Sequence, residues 1–311
     1  MTRLPALEPP AARQGPGAIP RQLVDAVDVL MVRLVAASLP GDRRARGVGA
    51  GTELSQLRPY EPGDDVRQLD PSAMARTGQP HVRLHVPERA MTTWIALDVS
   101  PSMAFGTAVR LKSDVAGGVA LVLARLAVRR AGRVGVVAFG GPEPILLPPR
   151  GSKPGLAAVR ELVEAGVARD GEHDAGGLGA ALARIEPLAV RSGLVAIVSD
   201  FRDQAGWSRP LAAVRGRHTV VAFEVADPRE SELPAVGRVA LVDPESGERL
   251  VLDTSSRRVR RRFEALERER REALEGELRR LRVAHIRLDA GGDWLLELVS
   301  GLEAARARER R

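Results

Sequence analysis

No cysteine occurs in the 311 residues of this chain. That absence excludes disulfide bonds, thiolate zinc sites and cysteine nucleophiles, and it fits a cytoplasmic location. Aromatic residues make up only 3% of the chain, so the core must be built mainly from Leu, Val, Ala and Ile. Long apolar runs are lacking as well. The best candidate, residues 115–128, is interrupted by Arg125 and is shorter than the roughly 20 residues of a membrane helix, so it predicts a buried helix.

Positive charge is in moderate excess, with a formal net charge of +7 at pH 7. Such an excess raises the hypothesis of nucleic-acid binding, here through an Arg-rich helix predicted at residues 255–281. Lysine, however, occurs only at Lys112 and Lys153, and many arginines alternate with glutamates, as in residues 264–272. An arginine bias with abundant Ala, Gly and Val is typical of a GC-rich genome and requires no selection for phosphate binding. Nucleic-acid binding is therefore the weaker hypothesis.

Composition divides the chain into three segments. Residues 1–20 are rich in Pro, Ala and Gly, lack the apolar centre of a signal peptide, and predict a disordered leader. Residues 21–90 are expected to form an extension: an amphipathic helix at 21–38, then a long Gly-, Arg- and Asp-rich loop over 41–80. Residues 91–305 are expected to form one α/β domain.

Alternating strands and helices predict that this domain is doubly wound, with a mostly parallel sheet. Within the domain, strands are predicted at 94–98, 133–139, 145–147, 194–198, 218–225 and 283–288, and helices at 109–130, 153–165, 179–185, 208–215, 255–281 and 293–302. One further strand is predicted at 81–86, near the end of the extension. The strand at 145–147 is expected to form a hairpin with the strand before it. Residues 239–252 predict a second hairpin, inserted between a strand and a helix.

Two of the predicted buried strands end in acidic loops, one at Asp98 and one at Asp200. In open α/β sheets, ligands bind beyond the carboxyl ends of the strands. Asp98, Ser100 and Ser102 are spaced by two, so a turn can aim one carboxylate and two hydroxyls at a common point. Hard oxygen donors of this kind suit Mg²⁺, and Asp200 could approach from the neighbouring loop. The alternative is that Asp98 and Ser102 only cap the following helix.

These residues and the segment before them carry a resemblance. The pattern Asp-x-Ser-x-Ser after one strand, with Asp after a later one, resembles the metal-ion-dependent adhesion site of von Willebrand factor A-like domains. Residues 58–70 (Arg-Pro-Tyr-Glu-Pro-Gly-Asp-Asp-Val-Arg-Gln-Leu-Asp), 75–78 and 88–89 resemble the hallmark of the bacterial family called domain of unknown function 58. Members often sit beside AAA+ ATPases of the MoxR type. The resemblance, which runs from about residue 21 to residue 302, therefore implies an adaptor role in chaperone-like assembly.

Two positions depart from these patterns. The family motif usually carries Trp after the Asp that matches Asp70, where this chain has Pro71. The adhesion site normally takes a Thr from a third loop, and that position falls on Gly176, which has no side-chain donor. Either Asp174 replaces the Thr, directly or through water, or the metal is weakly held or absent and the loop binds partners without it.

The family motif contains several charged residues of both signs. They can form a docking surface or a clamp near the metal site, or they can form internal salt bridges and turns that hold a long loop. We favour the second interpretation, and both can hold together. The charges are those of Arg58, Asp64, Asp65, Arg67, Asp70 and Arg76.

Several catalytic patterns are missing from the sequence: the His-Glu-x-x-His zinc motif, the P-loop of ATPases and the Gly-x-Ser-x-Gly elbow of hydrolases. Two hypotheses remain. The favoured one is a non-enzymatic, cytoplasmic interaction module whose Mg²⁺ accepts a carboxylate from a MoxR-type ATPase or its client. The alternative is a metal-dependent phosphoester hydrolase using the same acidic loops, for which only Asp200 and Asp174 are available as a base.

Overall fold

The computed structural model describes residues 7–8, 21–38, 53–62, 64–86, 91–107, 109–171, 177–202 and 206–309. They form two compact units. One consists of Met1–Leu39 together with Met91–Arg311, and the other of Pro40–Ala90.

The described residues contain twelve strands and eight α-helices. The strands are β1 (Leu7–Glu8), β2 (Glu53–Pro59), β3 (His81–Val86), β4 (Thr92–Asp98), β5 (Arg133–Phe139), β6 (Ile145–Gly151), β7 (Val167–Ala168), β8 (Leu194–Ser199), β9 (Thr219–Ala226), β10 (Arg238–Val242), β11 (Arg249–Asp253) and β12 (Ala284–Asp289). The helices are α1 (Arg21–Ser38), α2 (Pro71–Thr77), α3 (Lys112–Arg129), α4 (Ser152–Ala165), α5 (Gly177–Leu188), α6 (Ser208–Arg215), α7 (Arg257–Arg280) and α8 (Trp294–Glu309).

A six-stranded sheet forms the centre of the larger unit, in the order β12-β9-β8-β4-β5-β6. All neighbouring strands are parallel except β5 and β6, which are antiparallel. The predicted doubly wound, mostly parallel sheet and its antiparallel edge hairpin are therefore confirmed. Strands β8 and β9 are buried along their whole length, as expected for uninterrupted apolar runs in a parallel sheet.

Each face of this sheet has its own apolar core. The first core is closed by α1, α3, α4 and α8, and it includes Leu34, Val119, Leu162 and Leu298. The second is closed by α5, α6 and α7, which contribute side chains such as Leu182, Leu211 and Leu278. Helix α3 is buried over most of its surface, as predicted, and no helix among the described residues is long and apolar enough to cross a bilayer.

The N-terminal helix belongs to the same unit as the sheet. Val27 and Leu34 of α1 join the first core, and Asp25 and Asp28 pair with Arg129 and Arg130 at the end of α3. Two residues of the predicted leader, Leu7–Glu8, form strand β1, which pairs antiparallel with β7. The other residues of the leader lie outside the described part of the chain.

The predicted inserted hairpin is formed by β10 and β11, which pair antiparallel as a separate two-stranded sheet. Its residues are half-buried or exposed, unlike those of the central sheet. Helix α7 follows after Ser256 and buries Leu274 and Leu278, while its other face carries the charged residues.

The smaller unit corrects one expectation, because the described residues of the predicted loop at 41–80 do not form one long loop, while residues 41–52 and 63 lie outside the described part. Strand β2 pairs antiparallel with β3, and helix α2 lies between them. Asp70 caps α2 by accepting hydrogen bonds from the N–H groups of Ser72 and Ala73, Pro71 occupies its first turn, and Gly78 ends it at φ +72°. These are strong helix-end signals, but seven residues are too few to show helical periodicity.

Candidate functional site

The loop after β4 forms the first part of the candidate site. β4 ends at Asp98, and a short 3-10 helix, Pro101–Ala104, follows Ser100. The backbone of Val99 is fixed from two sides, since its N–H donates to the Phe139 carbonyl (2.9 Å) and its carbonyl accepts from the Ala168 N–H (2.7 Å). This anchoring brings the hydroxyl oxygens of Ser100 and Ser102 within 3.0 Å of each other.

The loop after β8 contributes the second part. β8 lies beside β4 in the sheet, so Asp200 reaches the same edge. The Ser102 hydroxyl donates to Asp200 Oδ2 at 3.1 Å. The structure therefore brings together Asp98, Ser100, Ser102 and Asp200, all of them buried. Asp174 and Gly176 of the third loop lie outside the described residues.

The backbone geometry after Asp200 is unusual. Phe201 adopts φ +53°, in the left-handed region that bulky side chains rarely occupy. Its N–H donates to the Ser199 hydroxyl oxygen (3.0 Å), and the Arg202 N–H donates to Asp200 Oδ1 (3.0 Å). This tight turn holds the Asp200 carboxylate against the loop after β4.

Asp98 is a buried carboxylate without a cationic partner among the described residues. Its Oδ1 accepts from the Ser100 N–H at 3.0 Å and its Oδ2 from the Ser199 hydroxyl at 2.5 Å. Burial, followed by the charge of Asp200, raises the pKa of Asp98 to about 7, against the effect of these hydrogen bonds. A cation placed at this edge would relieve that cost.

Asp200, in contrast, has a resident cation that the sequence reasoning missed. The fully buried Lys112, the first residue of α3, places its Nζ 2.6 Å from Asp200 Oδ2 and 2.6 Å from Glu230 Oε1. Burial alone would lower the pKa of Lys112, but the charges of Asp200 and Glu230 outweigh it and raise that pKa above its ordinary value. Burial would likewise raise the pKa of Asp200, but the charge of Lys112 lowers it.

The start of α3 explains where this lysine lies. The helix begins at Lys112 rather than at the predicted residue 109, because the Asp114 carboxylate accepts from the Leu111 N–H and closes the first turn. The sequence contained one signal: Lys112 is one of only two lysines among the 47 Lys and Arg residues, and it lies shortly after a strand-end loop. Glu230, which follows β9, gave no comparable signal.

A chain of ion pairs continues from Lys112 to helix α7. Glu230 Oε1 also accepts from Arg202 Nε (3.1 Å), and the guanidinium of Arg202 makes two further bonds to Glu267 (3.1 and 3.0 Å). Arg270 joins Glu267 at 3.2 Å and approaches the buried Glu224 at 3.7 Å. The loops after β4, β8 and β9 are thus connected to each other and to α7 by charged groups.

The oxygen atoms at the edge fit the ligand chemistry of Mg²⁺. Octahedral Mg²⁺ holds oxygens at about 2.0–2.1 Å, so adjacent ligands lie roughly 2.9 Å apart. The 3.0 Å distance from Ser102 Oγ to Ser100 Oγ agrees with that spacing. Across the described ranges, no group of three or more His, Asp or Glu side chains is arranged to hold a metal, so the fit depends on the two serine hydroxyls.

The opposite charges of the family motif mostly form an internal network within the smaller unit, which is the interpretation that we favoured from the sequence. Arg58 pairs with Asp64 at 2.6 Å, and Asp64 also accepts from the Glu61 N–H. Asp65 accepts from the Arg67 N–H, and Asp70 caps α2. The side chains of Arg67 and Arg76 are exposed and form no ion pair among the described residues.

A family model described as protein of unknown function DUF58 matches residues 56–273. This chain belongs to the DUF58 family. The DUF58 chain is 38% identical over 210 residues to the uncharacterized proteins Rv1480 of Mycobacterium tuberculosis and Mb1516 of Mycobacterium bovis, a match covering 67% of this chain. The chain spans 66% of the length of these relatives, slightly less than two thirds.

Two solved structures resemble this DUF58 protein at low identity. The conserved hypothetical protein BatB from Bacteroides thetaiotaomicron is 16% identical with a TM-score of 0.43, and the match covers 70% of this chain and 99% of that one. The SpRpn10 VWA domain is 10% identical with a TM-score of 0.37, covering 68% and 94%. The fold of the DUF58 chain is seen in its own sheet order, which is that of a doubly wound α/β fold around a mostly parallel sheet.

Proposed function

We propose that this DUF58 protein is a non-enzymatic interaction module that binds its partner at the carboxyl edge of β4, β8 and β9. One observation carries the proposal: hydrogen bonds link Asp98 to Ser100, Ser100 to Ser102, and Ser102 to Asp200 of the other loop, and all four residues are buried. A rigid group of carboxylates and hydroxyls at a sheet edge is typical of a binding site in an open α/β fold.

The proposal includes a Mg²⁺ ion held by Asp98, Ser100 and Ser102, with Asp200 beside it and Asp174 as a further candidate from the third loop. The oxygen spacing and the uncompensated charge of Asp98 support this assignment. Mg²⁺ usually keeps several positions for water, and one of these would be open to a carboxylate of the partner. The Ser100–Ser102 and Ser199–Asp98 hydrogen bonds would hold these ligand oxygens in place.

The partner we propose is a MoxR-type AAA+ ATPase or its client, encountered in the cytoplasm. The family resemblance of residues 58–70 supports this assignment, and so does the chemistry of the edge, which would select an acidic side chain. The hydrolase alternative receives less support. Asp200, one of its two candidate bases, is already bound by the Lys112 ammonium and the Ser102 hydroxyl, which leaves it poorly placed to take a proton.

A binding experiment with the purified MoxR-type ATPase of the same organism tests the proposal. The wild type, Asp98→Ala and a control variant, Asp170→Ala, are titrated onto the immobilised ATPase. Asp170 is exposed and is not one of the residues proposed to hold the metal. The Mg²⁺ concentration is held constant, because the ATPase itself requires the ion. We expect the wild type and Asp170→Ala to bind equally and Asp98→Ala to bind about tenfold more weakly or worse.

Equal binding of Asp98→Ala and the wild type would contradict a role for this edge. Absence of binding by the wild type would contradict the assignment of the ATPase as partner. Thermal unfolding of each variant, followed by circular dichroism, shows whether a loss of binding reflects a loss of folding.

A further inference from the structure

The Lys112 side chain is fully buried, although an isolated ammonium is costly to bury. Its Nζ lies 2.6 Å from both Asp200 Oδ2 and Glu230 Oε1, and the ring of Phe105 lies over it with its centroid 5.9 Å away. The charge is therefore enclosed by two carboxylates and an aromatic face. This arrangement places a permanent cation directly beside the oxygens proposed to bind Mg²⁺.

The hydrogen bonds of Asp200 show what this cation does to the site. Each carboxylate oxygen can accept about two hydrogen bonds. Oδ2 of Asp200 already accepts from Lys112 Nζ and from the Ser102 hydroxyl, and Oδ1 accepts from the Arg202 N–H. Asp200 thus has little capacity left for a metal, whereas Asp98 accepts only from neutral donors, which belong to Ser100 and Ser199.

We infer that Lys112 is a built-in cation that neutralises Asp200 and thereby lowers the affinity of this edge for a divalent ion. A divalent ion held by Asp98 and the two serines meets one uncompensated carboxylate instead of two, and it also meets the repulsion of a nearby ammonium. Its remaining positive charge is then left for an acidic group of the partner. Lys112 is in this sense a specificity-determining residue, and this inference rests on the proposed metal site.

The chain offers a substitution that tests the inference without changing the net charge of the buried group. Lys112, Asp200 and Glu230 together carry a net charge of −1. The double variant Lys112→Met/Glu230→Gln also leaves −1, now located on Asp200 alone. The amide introduced at position 230 keeps one carbonyl oxygen as an acceptor for Arg202 Nε or the Asp227 N–H, both of which donate to Glu230 in the wild type. The control is Lys153→Met, which removes the other lysine of the chain at an exposed position.

Isothermal titration calorimetry with MgCl₂ compares four proteins: the wild type, the double variant, Lys153→Met and Asp98→Ala. We expect the double variant to bind Mg²⁺ at least about tenfold more tightly than the wild type, with Lys153→Met unchanged and Asp98→Ala without binding. Equal or weaker binding by the folded double variant, with the wild-type heat lost in Asp98→Ala, would overturn the inference and leave the proposed site standing. Absence of heat from all four proteins would contradict the proposed metal site itself.

A second measurement needs only the wild type, so it tests the inference even if the double variant does not fold. Nitrogen-15 NMR detects lysine ammonium groups whose protons exchange slowly with water because they are buried. We expect one such signal, from Lys112, and a shift of that signal on addition of MgCl₂. A Lys112 signal that does not move, under conditions where calorimetry shows the wild type saturated, would overturn the inference.

Discussion

Asp98 and Asp200 are both buried at the same sheet edge, yet their surroundings differ. Asp200 faces the Lys112 ammonium at 2.6 Å. Asp98 accepts from neutral donors of Ser100 and Ser199, and burial, followed by the charge of Asp200, raises its pKa to about 7. In the unfolded chain Asp98 is not buried and ionises at its ordinary pKa. Ionisation of the buried carboxyl therefore lowers the free energy of unfolding, and this loss is complete above about pH 7.

The first prediction concerns the removal of this charge. At about pH 8 in EDTA, Asp98→Asn should be more stable than the wild type by about 1–3 kcal/mol, because an amide still accepts from the Ser100 N–H but carries no buried charge. Urea denaturation measures the difference. Addition of Mg²⁺ should stabilise the wild type and leave Asp98→Asn unchanged. A less stable Asp98→Asn would show that Asp98 already has a cation within the protein.

Gly140 gives the second prediction. It has φ +84°, and a Cβ atom there would lie 2.7 Å from Ser100 Cβ and 3.0 Å from Asp98 Oδ1. Gly140→Ala should therefore cost about 2–4 kcal/mol and weaken Mg²⁺ binding, since it adds steric overlap to backbone strain. Gly247→Ala is the matched control. Gly247 also has a positive φ (+73°), but a Cβ atom added there would have no atom within 4 Å, so this substitution adds backbone strain without steric overlap. Equal losses of stability in urea would contradict the packing argument.

His218 gives the third prediction, which concerns pH. It is buried, and burial, followed by the charge of Arg217, lowers its pKa below the ordinary value. The unfolded chain therefore binds a proton at this position before the folded chain does, and the stability from His218 is lost as the pH falls below about 6.5. His218→Leu should have a melting temperature that falls less than that of the wild type between about pH 7 and pH 5. Parallel pH profiles would contradict this assignment.

At the scale of elements, the site is assembled by loops that follow three adjacent parallel strands. Arg202, which follows β8, bonds to Glu230 after β9 and to Glu267 of α7. It therefore connects the loops after β8 and β9 to helix α7. The side chain of Arg202 is 27% exposed, and that of Glu267 is 13% exposed. Removing the guanidinium would take two hydrogen bonds from the partly buried Glu267 and one of the donors of Glu230.

The fourth prediction compares two Arg–Glu pairs that each form two hydrogen bonds but differ in burial. Arg202→Ala should lower the free energy of unfolding by about 1.5–3 kcal/mol, because hydrogen bonds to partly buried charges are lost. Arg280 also makes two bonds, to Glu277, at 2.8 and 2.6 Å, but it is exposed on α7. Arg280→Ala should have a much smaller effect, which is reduced further by salt. Equal effects in urea would contradict the role of Arg202 as a connection between loops.

The elements themselves were predictable to different degrees. The apolar runs of β4, β5, β8 and β9 predicted buried strands, since few other structures accommodate such short runs between polar ends. Helix α2 was missed because it has seven residues, even though Asp70, Pro71 and Gly78 mark both of its ends. Those signals depend on local capping and turn chemistry, which carries information where periodicity does not.

At the scale of the whole molecule, the parallel sheet could be argued from the alternation of strands and helices, and the acidic strand ends then indicated one edge of the sheet. Asp98, Ser100, Ser102 and Asp200 were predictable because their spacing and their place after strands are visible in the sequence. Lys112 and Glu230 were not, since their contact joins residues 118 positions apart and depends on how the loops fold back. Long-range ion pairs of this kind leave no periodic trace in a single sequence.

We propose that Asp98 and the two serines form a cation site at the partner-binding edge. Magnesium titration calorimetry on the wild type, Asp98→Ala and the exposed control Asp170→Ala tests this proposal. We expect saturable binding of one Mg²⁺ by the wild type and by Asp170→Ala, and none by folded Asp98→Ala. Identical heats from the wild type and Asp98→Ala would contradict it.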